Sequence, residues 1–91
     1  MRMVFEWDDK KDKINQEKHS LRLMRGAEVF LDENRMDFAD NRKDYGEERR
    51  ICVGKCKLGI IFVCYTIRNN KIRLISVRPA SREERGLYYD S

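Results

Sequence analysis

The chain has 91 residues with 1 Pro and 5 Gly, and it divides almost evenly between charged (40%) and hydrophobic (41%) residues. That length accommodates a single domain, 1–91, and the apolar content excludes a disordered tail. The longest apolar stretch, Ile60 to Tyr65, is far too short to span a membrane, and Glu6 interrupts any signal-peptide core. We therefore expect a cytoplasmic protein that does not enter the membrane.

Three cysteines and one histidine limit the metal chemistry. Cys52, Cys56 and Cys64 are odd in number, and none stands in a Cys-x-x-Cys pair. With His19 alone they cannot complete the usual zinc ligand sets at these spacings. Cys52 and Cys64 lie in apolar, strand-like segments, where a reduced Cys behaves as a small hydrophobic residue. We therefore expect neither a metal ion nor a cofactor.

The charge is unevenly distributed along the chain. Residues 1–46 carry 10 basic and 11 acidic side chains (−1), and residues 47–91 carry 10 basic and 5 acidic ones (+5), which gives the net +4. A basic half favours a polyanion such as nucleic acid, or an acidic protein partner. Composition alone fits equally well a soluble domain of high pI that has no such partner.

The N-terminal part predicts a strand followed by a surface helix. Apart from Glu6, residues 4–7 are β-branched or aromatic, and they form the first expected strand. Asp8 or Asp9 can cap a helix over 9–19, because its carboxylate accepts from unpaired N–H groups. That helix is very polar, with Ile14 as its main apolar anchor, so it must lie on the surface.

A second helix is predicted over Leu21–Leu31. Its apolar residues follow helical spacing, which gives one buried stripe of Leu23, Ala27, Phe30 and Leu31, with Met24 alongside. Gly26 weakens this helix slightly. Residues 32–48 are acidic and turn-like, and they leave room only for a short strand at Arg35–Phe38.

The C-terminal half predicts three strands and a terminal helix. Strands are expected at 49–56 and, after a turn at 57–59, at 60–68, where both faces are apolar as in a central strand. Asn69-Asn70 favours a type I′ turn into the last strand. Ser81 and Glu84 fit a capping box that starts a helix ending at residue 88 or 89.

The hairpin turn also predicts a register. It pairs Ile67 with Ile72, Tyr65 with Leu74 and Val63 with Ser76 on one face. On the other face it pairs Thr66 with Arg73, Cys64 with Ile75 and Phe62 with Val77. Arg73 and Arg78 then leave the strand on opposite faces. The element order β-α-α-β-β-β-α is that of an α+β domain with a mainly antiparallel sheet.

Motifs along nearly the whole chain resemble those of BrnT-type toxins. The N-terminal part contributes Phe5-Glu6-Trp7-Asp8, followed at fixed offsets by Lys11, Asn15, Lys18 and His19. The C-terminal half contributes Glu48-Arg49-Arg50, Tyr65-Thr66-x-Arg68, Ile72-Arg73-Leu74-Ile75-Ser76-Val77-Arg78-Pro79-Ala80, and Arg82-Glu83-Glu84-Arg85 with Tyr88. The order and spacing of these fragments together carry the resemblance.

The resemblance implies a RelE-like fold and a ribonuclease toxin of a type II toxin–antitoxin pair, which stops translation. It also implies a BrnA-like antitoxin with a ribbon-helix-helix DNA-binding part. The complex of the two would repress its own operon, so operator DNA would be contacted only through the antitoxin. RNA is then the substrate, and the ribosome is a candidate partner.

The chain departs from the family pattern after His19. Family members usually have Gly there, followed by a Ser or Asp that caps the second helix, whereas this chain has Ser20 and Arg22. We expect Ser20 to cap the second helix, with a shifted helix start. The resemblance carries nothing over to residues 37–48, a segment that varies widely in such proteins.

A metal-free ribonuclease needs a base for the 2′-hydroxyl proton, cations for the phosphorane charge and an acid for the leaving 5′-oxygen. Arg suits the second task, because its planar fork matches two phosphate oxygens. Among the candidates, Arg78 and Arg73 rank first because apolar neighbours hold them in a strand, and Arg78 ranks slightly higher at the strand end. Arg49 is the third catalytic candidate. Phosphate binding is assigned to Lys18, Arg68, Arg82 and Arg85, although Arg82 and Arg85 also fit ordinary solvated helix residues.

Proton transfer has fewer candidates. His19 has the one side chain with an ordinary pKa near ~6.5. It is also placed to terminate the first helix favourably, and we favour that structural role. Tyr88 and Glu48 are weaker candidates. Trp7 could stack on a base, but a core position is favoured for it, as it is for Tyr65 with a partner for its hydroxyl.

Two further classes of protein share these features. The first is a non-catalytic RNA- or ribosome-binding module that uses the same basic sheet. The second is a pure interaction protein. Cleavage of RNA would distinguish a ribonuclease from the binding module. Binding of RNA without cleavage would distinguish the binding module from the interaction protein.

Overall fold

A computed structural model describes residues 2–90 of the chain. Within them lie five strands and three helices, in the order β1 (Phe5–Glu6), α1 (Asp9–His19), α2 (Arg25–Val29), β2 (Met36–Ala39), β3 (Arg50–Cys56), β4 (Gly59–Arg68), β5 (Lys71–Pro79) and α3 (Arg82–Asp90). The strands form one sheet of order β1-β5-β4-β3-β2. The predicted α+β class and element order are confirmed, and the short strand between the second helix and β3 is present as β2.

The sheet is antiparallel except at one edge. β1 pairs with β5 in parallel, whereas β2, β3, β4 and β5 pair antiparallel in turn. β4 lies at the centre and is buried on both faces over most of its length, as its continuous apolar sequence predicts. No helix within residues 2–90 is both long and apolar enough to cross a membrane.

Each face of the sheet has its own apolar core. The face covered by α1 and α2, here called the front face, buries among others Leu23, Val29, Phe30, Val63, Leu74 and Val77. The opposite or back face is partly covered by α3, and it buries Ile51, Val53, Ile60, Phe62, Cys64, Ala80 and Tyr88. The three cysteines are buried free thiols, in agreement with the role of small hydrophobic residue predicted for Cys52 and Cys64.

Helix α1 has the predicted bounds, but its anchor is polar. Asp8 caps it by accepting from the N–H groups of residues 10 and 11. Ile14 is 53% exposed, so its predicted role as apolar anchor is wrong. Instead Asn15, which is 5% exposed, donates to the Leu21 carbonyl and accepts from the Val77 N–H. Two backbone groups of the front face therefore hold this polar helix in place.

Helix α2 is much shorter than the predicted 21–31. Ser20 does not cap it, contrary to expectation: Ser20 adopts a left-handed conformation (φ 58°) and ends α1. Leu31 is exposed rather than part of the buried stripe. Gly26 has a packing reason to be Gly, because a Cβ there would lie 3.1 Å from side-chain atoms of both Val63 and Val77.

The β4–β5 hairpin follows the predicted register near its turn and then departs from it. Asn69 and Asn70 have φ of 51° and 63°, as a type I′ turn requires. The register then shifts between Cys64 and Tyr65, so that Cys64 pairs with Ser76 and Ile75 has no cross-strand partner. This bulge overturns the predicted pairs beyond it.

The bulge also changes which face Arg78 occupies. Arg73 pairs with Thr66, and Arg78 pairs with Phe62. Thr66 and Phe62 are four residues apart in β4, so they point to the same face. The expectation that Arg73 and Arg78 leave on opposite faces is therefore wrong, since the extra residue between them brings both to the back face.

Candidate active site

Two arginines converge on one aromatic ring of the back face. The guanidinium of Arg78 lies 3.8 Å from the centroid of the Phe62 ring, and that of Arg42 lies 5.5 Å from it. Both line a cleft of about 580 Å³ between the end of β2 and α3. Because Arg42 comes from the loop after β2 and Arg78 from the end of β5, distant parts of the chain build this cleft.

A carboxylate fixes each of these guanidinium groups. Arg78 donates to the two carboxylate oxygens of Glu84 at 2.8 Å each, and Arg42 donates to the two of Asp40 at 2.8 Å each. The Arg78 guanidinium lowers the pKa of Glu84 to about 2. Arg42 holds the pKa of Asp40 well below its usual range, although Asp40 is buried. All four groups are therefore charged at neutral pH and rigidly oriented.

The Cys64 thiol lies directly beneath the second of these ion pairs. It donates to Asp40 at 3.5 Å, and Arg42 donates to its sulfur at 3.4 Å. Burial, followed by the Asp40 carboxylate, raises the pKa of this thiol. Cys64 is therefore a packed, protonated group rather than a nucleophile.

A second arginine cluster is built around Glu47. Arg68 donates to both Glu47 oxygens at 2.9 and 3.0 Å. Arg49 shares the same carboxylate, with its Nε 3.6 Å from Oε1, and its guanidinium lies 4.2 Å from the Tyr45 ring centroid. That Nε is buried and makes no hydrogen bond within residues 2–90. One carboxylate therefore serves two guanidinium groups, which leaves part of their charge unmatched.

These contacts lie on the back face of the sheet. The Tyr45 hydroxyl also helps to lower the pKa of Asp40, so Tyr45 links the two clusters. Arg73 extends the row at the far end, with its Nη1 3.7 Å from Glu6. We call the set Arg42, Arg49, Arg68, Arg73 and Arg78 the arginine band. Its five cations face four carboxylates: Glu6, Asp40, Glu47 and Glu84.

The predicted proton-transfer residues lie outside the arginine band. His19 ends α1, and within residues 2–90 its imidazole makes no hydrogen bond or ion pair. Tyr88 is buried in the back-face core, and its hydroxyl donates to Asp32 at 2.5 Å. This hydrogen bond and burial raise the pKa of Tyr88 to about 12. Glu48 is largely exposed, and its carboxylate lies 3.6 Å from Arg50.

The remaining predicted phosphate ligands are dispersed. Lys18 is exposed near the end of α1. Arg82 and Arg85 are exposed on α3, where Arg85 donates to the Ala80 carbonyl at 3.0 Å. Of the nine predicted site residues, the structure therefore brings Arg49, Arg68, Arg73 and Arg78 into the arginine band, whereas Arg82, Arg85 and Tyr88 belong to α3, which covers part of the same face.

The two aromatic residues for which a core position was favoured do pack in the core. Trp7 is partly buried against the front-face cluster. Tyr65 is 4% exposed, and its hydroxyl donates to Asp37, a bond that Arg50 extends by donating to Asp37 at 2.8 Å. Burial and then Asp37 raise the pKa of Tyr65 well above the ordinary value.

Sequence reasoning missed Arg42 and Asp40. Both lie in segment 37–48, where Glu48 is the one residue to which a role is assigned from the sequence. The local signal was an Asp two residues before an Arg, since the Asp40 carboxylate accepts from the Arg42 N–H at 3.2 Å in an Asx turn. Nothing in the sequence placed that turn over Phe62. Among residues 2–90, no three His, Cys, Asp or Glu side chains are grouped closely enough to hold a metal ion.

Two comparisons with known proteins bear on this site. A family model described as "Ribonuclease toxin, BrnT, of type II toxin-antitoxin system" matches residues 7–84. A search of curated protein sequences finds no match. The matched segment contains all five residues of the arginine band.

Proposed function

The chain belongs to the BrnT family of ribonuclease toxins of type II toxin–antitoxin systems, and from this premise we propose that it cleaves RNA internally, without a metal ion, on the arginine band. The observation that carries the proposal is the convergence of Arg42 and Arg78 over Phe62, on the same face as the other three arginines. Rigid guanidinium groups of this kind suit a phosphodiester, because they bind its oxygens in pairs.

In this proposal the 2′-hydroxyl of the RNA attacks the neighbouring phosphorus, and the bond to the 5′-oxygen breaks. Water takes the proton of the 2′-hydroxyl and supplies one to the leaving 5′-oxygen, so the products are a 2′,3′-cyclic phosphate and a 5′-hydroxyl. Negative charge grows on the non-bridging oxygens of the phosphorane, and Arg78 and Arg42 stabilise it. DNA lacks the 2′-hydroxyl and is therefore not cleaved.

The carboxylates of the site act by positioning the arginines. Glu84 has a pKa of about 2 because Arg78 binds it, so it is a weak base at neutral pH. Instead, one bidentate contact holds each guanidinium before substrate arrives, which reduces the cost of ordering it. Arg49, Arg68 and Arg73 contact flanking phosphates. The proton-transfer roles of His19 and Tyr88 stay predictions.

A type II toxin has a protein antitoxin. We propose a ribbon-helix-helix antitoxin, BrnA-like, whose acidic surface covers the arginine band and which carries the DNA contacts for repression of the operon. Complementary charge would give rapid and selective association. Translation is inhibited because the free toxin cleaves RNA, and the ribosome is the candidate site of that cleavage.

Cleavage of a single-stranded RNA by the purified protein tests the proposal. Arg78→Ala is expected to lower the rate by about 100-fold or more. Arg25→Ala is the matched control, because Arg25 pairs with Glu28 at 3.3 Å on α2, across the sheet. Cleavage should persist in EDTA. Equal rates for the two variants would remove Arg78 from the site, and a requirement for added Mg²⁺ would contradict metal independence.

One observation favours a second function, a non-catalytic RNA- or ribosome-binding module. Every arginine of the band already has a carboxylate partner, which fits a surface for reversible binding as well as a catalytic one. RNA binding without cleavage, both with and without ribosomes, would establish this alternative.

A further inference from the structure

The cleft that holds Arg42 and Arg78 has an apolar side that phosphate chemistry does not use. Phe38 on the edge strand β2 is 44% exposed, and Leu87 on α3 is 57% exposed, although both line this cleft. Ile51, the buried cross-strand partner of Phe38, lines the cleft as well. A flat, partly open apolar slot thus adjoins two guanidinium groups.

The same cleft contains a carboxylate without a partner. Glu83 lines it from the first turn of α3, and its side chain makes no ion pair or hydrogen bond within residues 2–90. It differs in this respect from its neighbour Glu84, which binds Arg78. An additional exposed acid works against simple phosphate binding, and it is available to accept hydrogen bonds from an occupant that supplies N–H donors.

We propose that this slot binds one nucleobase of single-stranded RNA, with Phe38 stacking on the base and Glu83 accepting hydrogen bonds from its Watson–Crick edge. Aromatic side chains stack on unpaired bases, and carboxylates accept from base N–H donors. The volume of about 580 Å³ is within the range of small-ligand sites.

Guanine is the base that fits this chemistry best. Its ring N–H and its exocyclic amino group are two parallel donors, which match the two oxygens of a carboxylate. Cytosine and adenine offer an amino donor beside a ring acceptor, and uracil offers a single ring N–H between two carbonyl oxygens. The slot therefore favours guanine and rejects uracil. This inference rests on the proposed function, since it locates the base beside the scissile phosphate.

Binding of uncleavable strands tests the slot independently of catalysis. Short 2′-O-methyl oligonucleotides lack the nucleophile, and they carry one guanosine, one inosine or only uridines. The unmodified protein is expected to bind the guanosine strand about tenfold more tightly than the uridine strand. Inosine, which lacks the amino group, should fall between them.

Three variants test whether Phe38 and Glu83 are responsible for RNA binding and for the preference for guanosine. Phe38→Ala should weaken binding of every strand by about tenfold, and Phe38→Tyr should restore it, because the ring is kept. Glu83→Gln should remove the difference between guanosine and uridine. Glu17→Gln, on the exposed side of α1, is the charge-matched control. Thermal unfolding verifies that each variant is folded, and Phe38 and Glu83 are both exposed enough to be replaced.

The outcomes separate this inference from the cleavage proposal. Equal affinity of the unmodified protein for guanosine and uridine strands overturns the slot, as does unchanged binding by both Phe38→Ala and Glu83→Gln. If these variants bind RNA normally and lose affinity only for the antitoxin, the slot belongs to the protein partner and the inference is wrong. If binding follows Phe38 and Glu83 but no RNA is cleaved, the slot stands and the nuclease proposal fails.

Discussion

Arg73 and Arg78 lie on the same face of the sheet because of one extra residue in β5. The stretch of β5 between the two arginines is one residue longer than the stretch of β4 between their cross-strand partners, Thr66 and Phe62. The extra residue is Ile75, and its side chain packs against the back-face core. In a regular hairpin Arg78 would point to the front face, which α1 and α2 cover. A bulge thus places an arginine beside the open cleft, a common use of bulges near functional sites.

Removing Arg42 is expected to cost stability as well as activity. The Asp40 side chain is fully buried, so Arg42→Ala leaves an unpaired carboxylate in the back face. We expect a loss of about 3 kcal/mol in the free energy of unfolding, measured with urea at pH 7. Arg25→Ala breaks a pair whose carboxylate keeps access to water, since the Glu28 side chain is 25% exposed, and should cost about 0.5 kcal/mol. Similar losses for both variants would contradict the buried role of Asp40.

The ion pair between Arg78 and Glu84 predicts a stability change in acid. The pKa of Glu84 is about 2 in the folded protein, below its ordinary value of 4.5. Its stabilising contribution is therefore complete above about pH 4.5 and is lost as the pH falls towards 2. The difference in unfolding midpoint between Glu84→Gln and the unmodified protein should be large at pH 7 and small at pH 2. An equal difference at both pH values would show that the ionised pair is not what stabilises α3.

Replacing Gly by Ala at two helical positions should change the stability of the protein in opposite directions. A Cβ at Gly26 would contact Val63, Val77 and Leu74 at 3.1–3.2 Å, so Gly26→Ala should destabilise the protein by about 1–2 kcal/mol. Nothing lies within 4 Å of a Cβ at Gly86 in α3, so Gly86→Ala should stabilise it by about 0.5–1 kcal/mol. Thermal unfolding of the two variants, side by side, measures both effects. A stabilising Gly26→Ala would mean that α2 can move away from the sheet.

Local signals in the sequence predicted local structure well. The Asp8 cap, the Asn69-Asn70 turn and the capping box, in which Glu84 accepts from the Ser81 N–H at 2.8 Å, all depend on residues close in the chain. The first hairpin pairs were correct for the same reason. Non-local effects were not predictable in this way. The bulge at Ile75 is set by packing against the back-face core.

The residues of the candidate site also divide into those that the sequence predicted and those that depend on non-local contacts. Motif spacing identified Arg49, Arg68, Arg73 and Arg78, and the structure places these four on one face. Arg42 was missed because its role depends on a turn that lies over Phe62, a contact between segments far apart in sequence.

The polar anchoring of α1 predicts an unusual order of mutational effects. Asn15→Ala leaves the Val77 N–H and the Leu21 carbonyl without their buried partner, which should cost about 2–3 kcal/mol. Ile14→Ala removes a larger apolar side chain, but one that is 53% exposed, and should cost less than about 0.5 kcal/mol. Urea denaturation of both variants tests this order. A larger loss of stability for Ile14→Ala than for Asn15→Ala would show that Ile14 is the main anchor of α1, as the sequence predicts.

Replacing His19 distinguishes an electrostatic mechanism from general acid–base catalysis by this residue. It is partly exposed at the end of α1 and has no hydrogen bond or ion pair with the arginine band in the described part of the chain. His19→Gln should therefore retain more than about half of the RNA cleavage rate, whereas loss of a general base typically lowers a rate by about 100-fold or more. Single-turnover cleavage at pH 7, with Arg78→Ala as the inactive reference, measures the difference. A fall of that size in folded His19→Gln, with RNA binding unchanged, would place the imidazole at the scissile phosphate and overturn the purely electrostatic role of the arginine band.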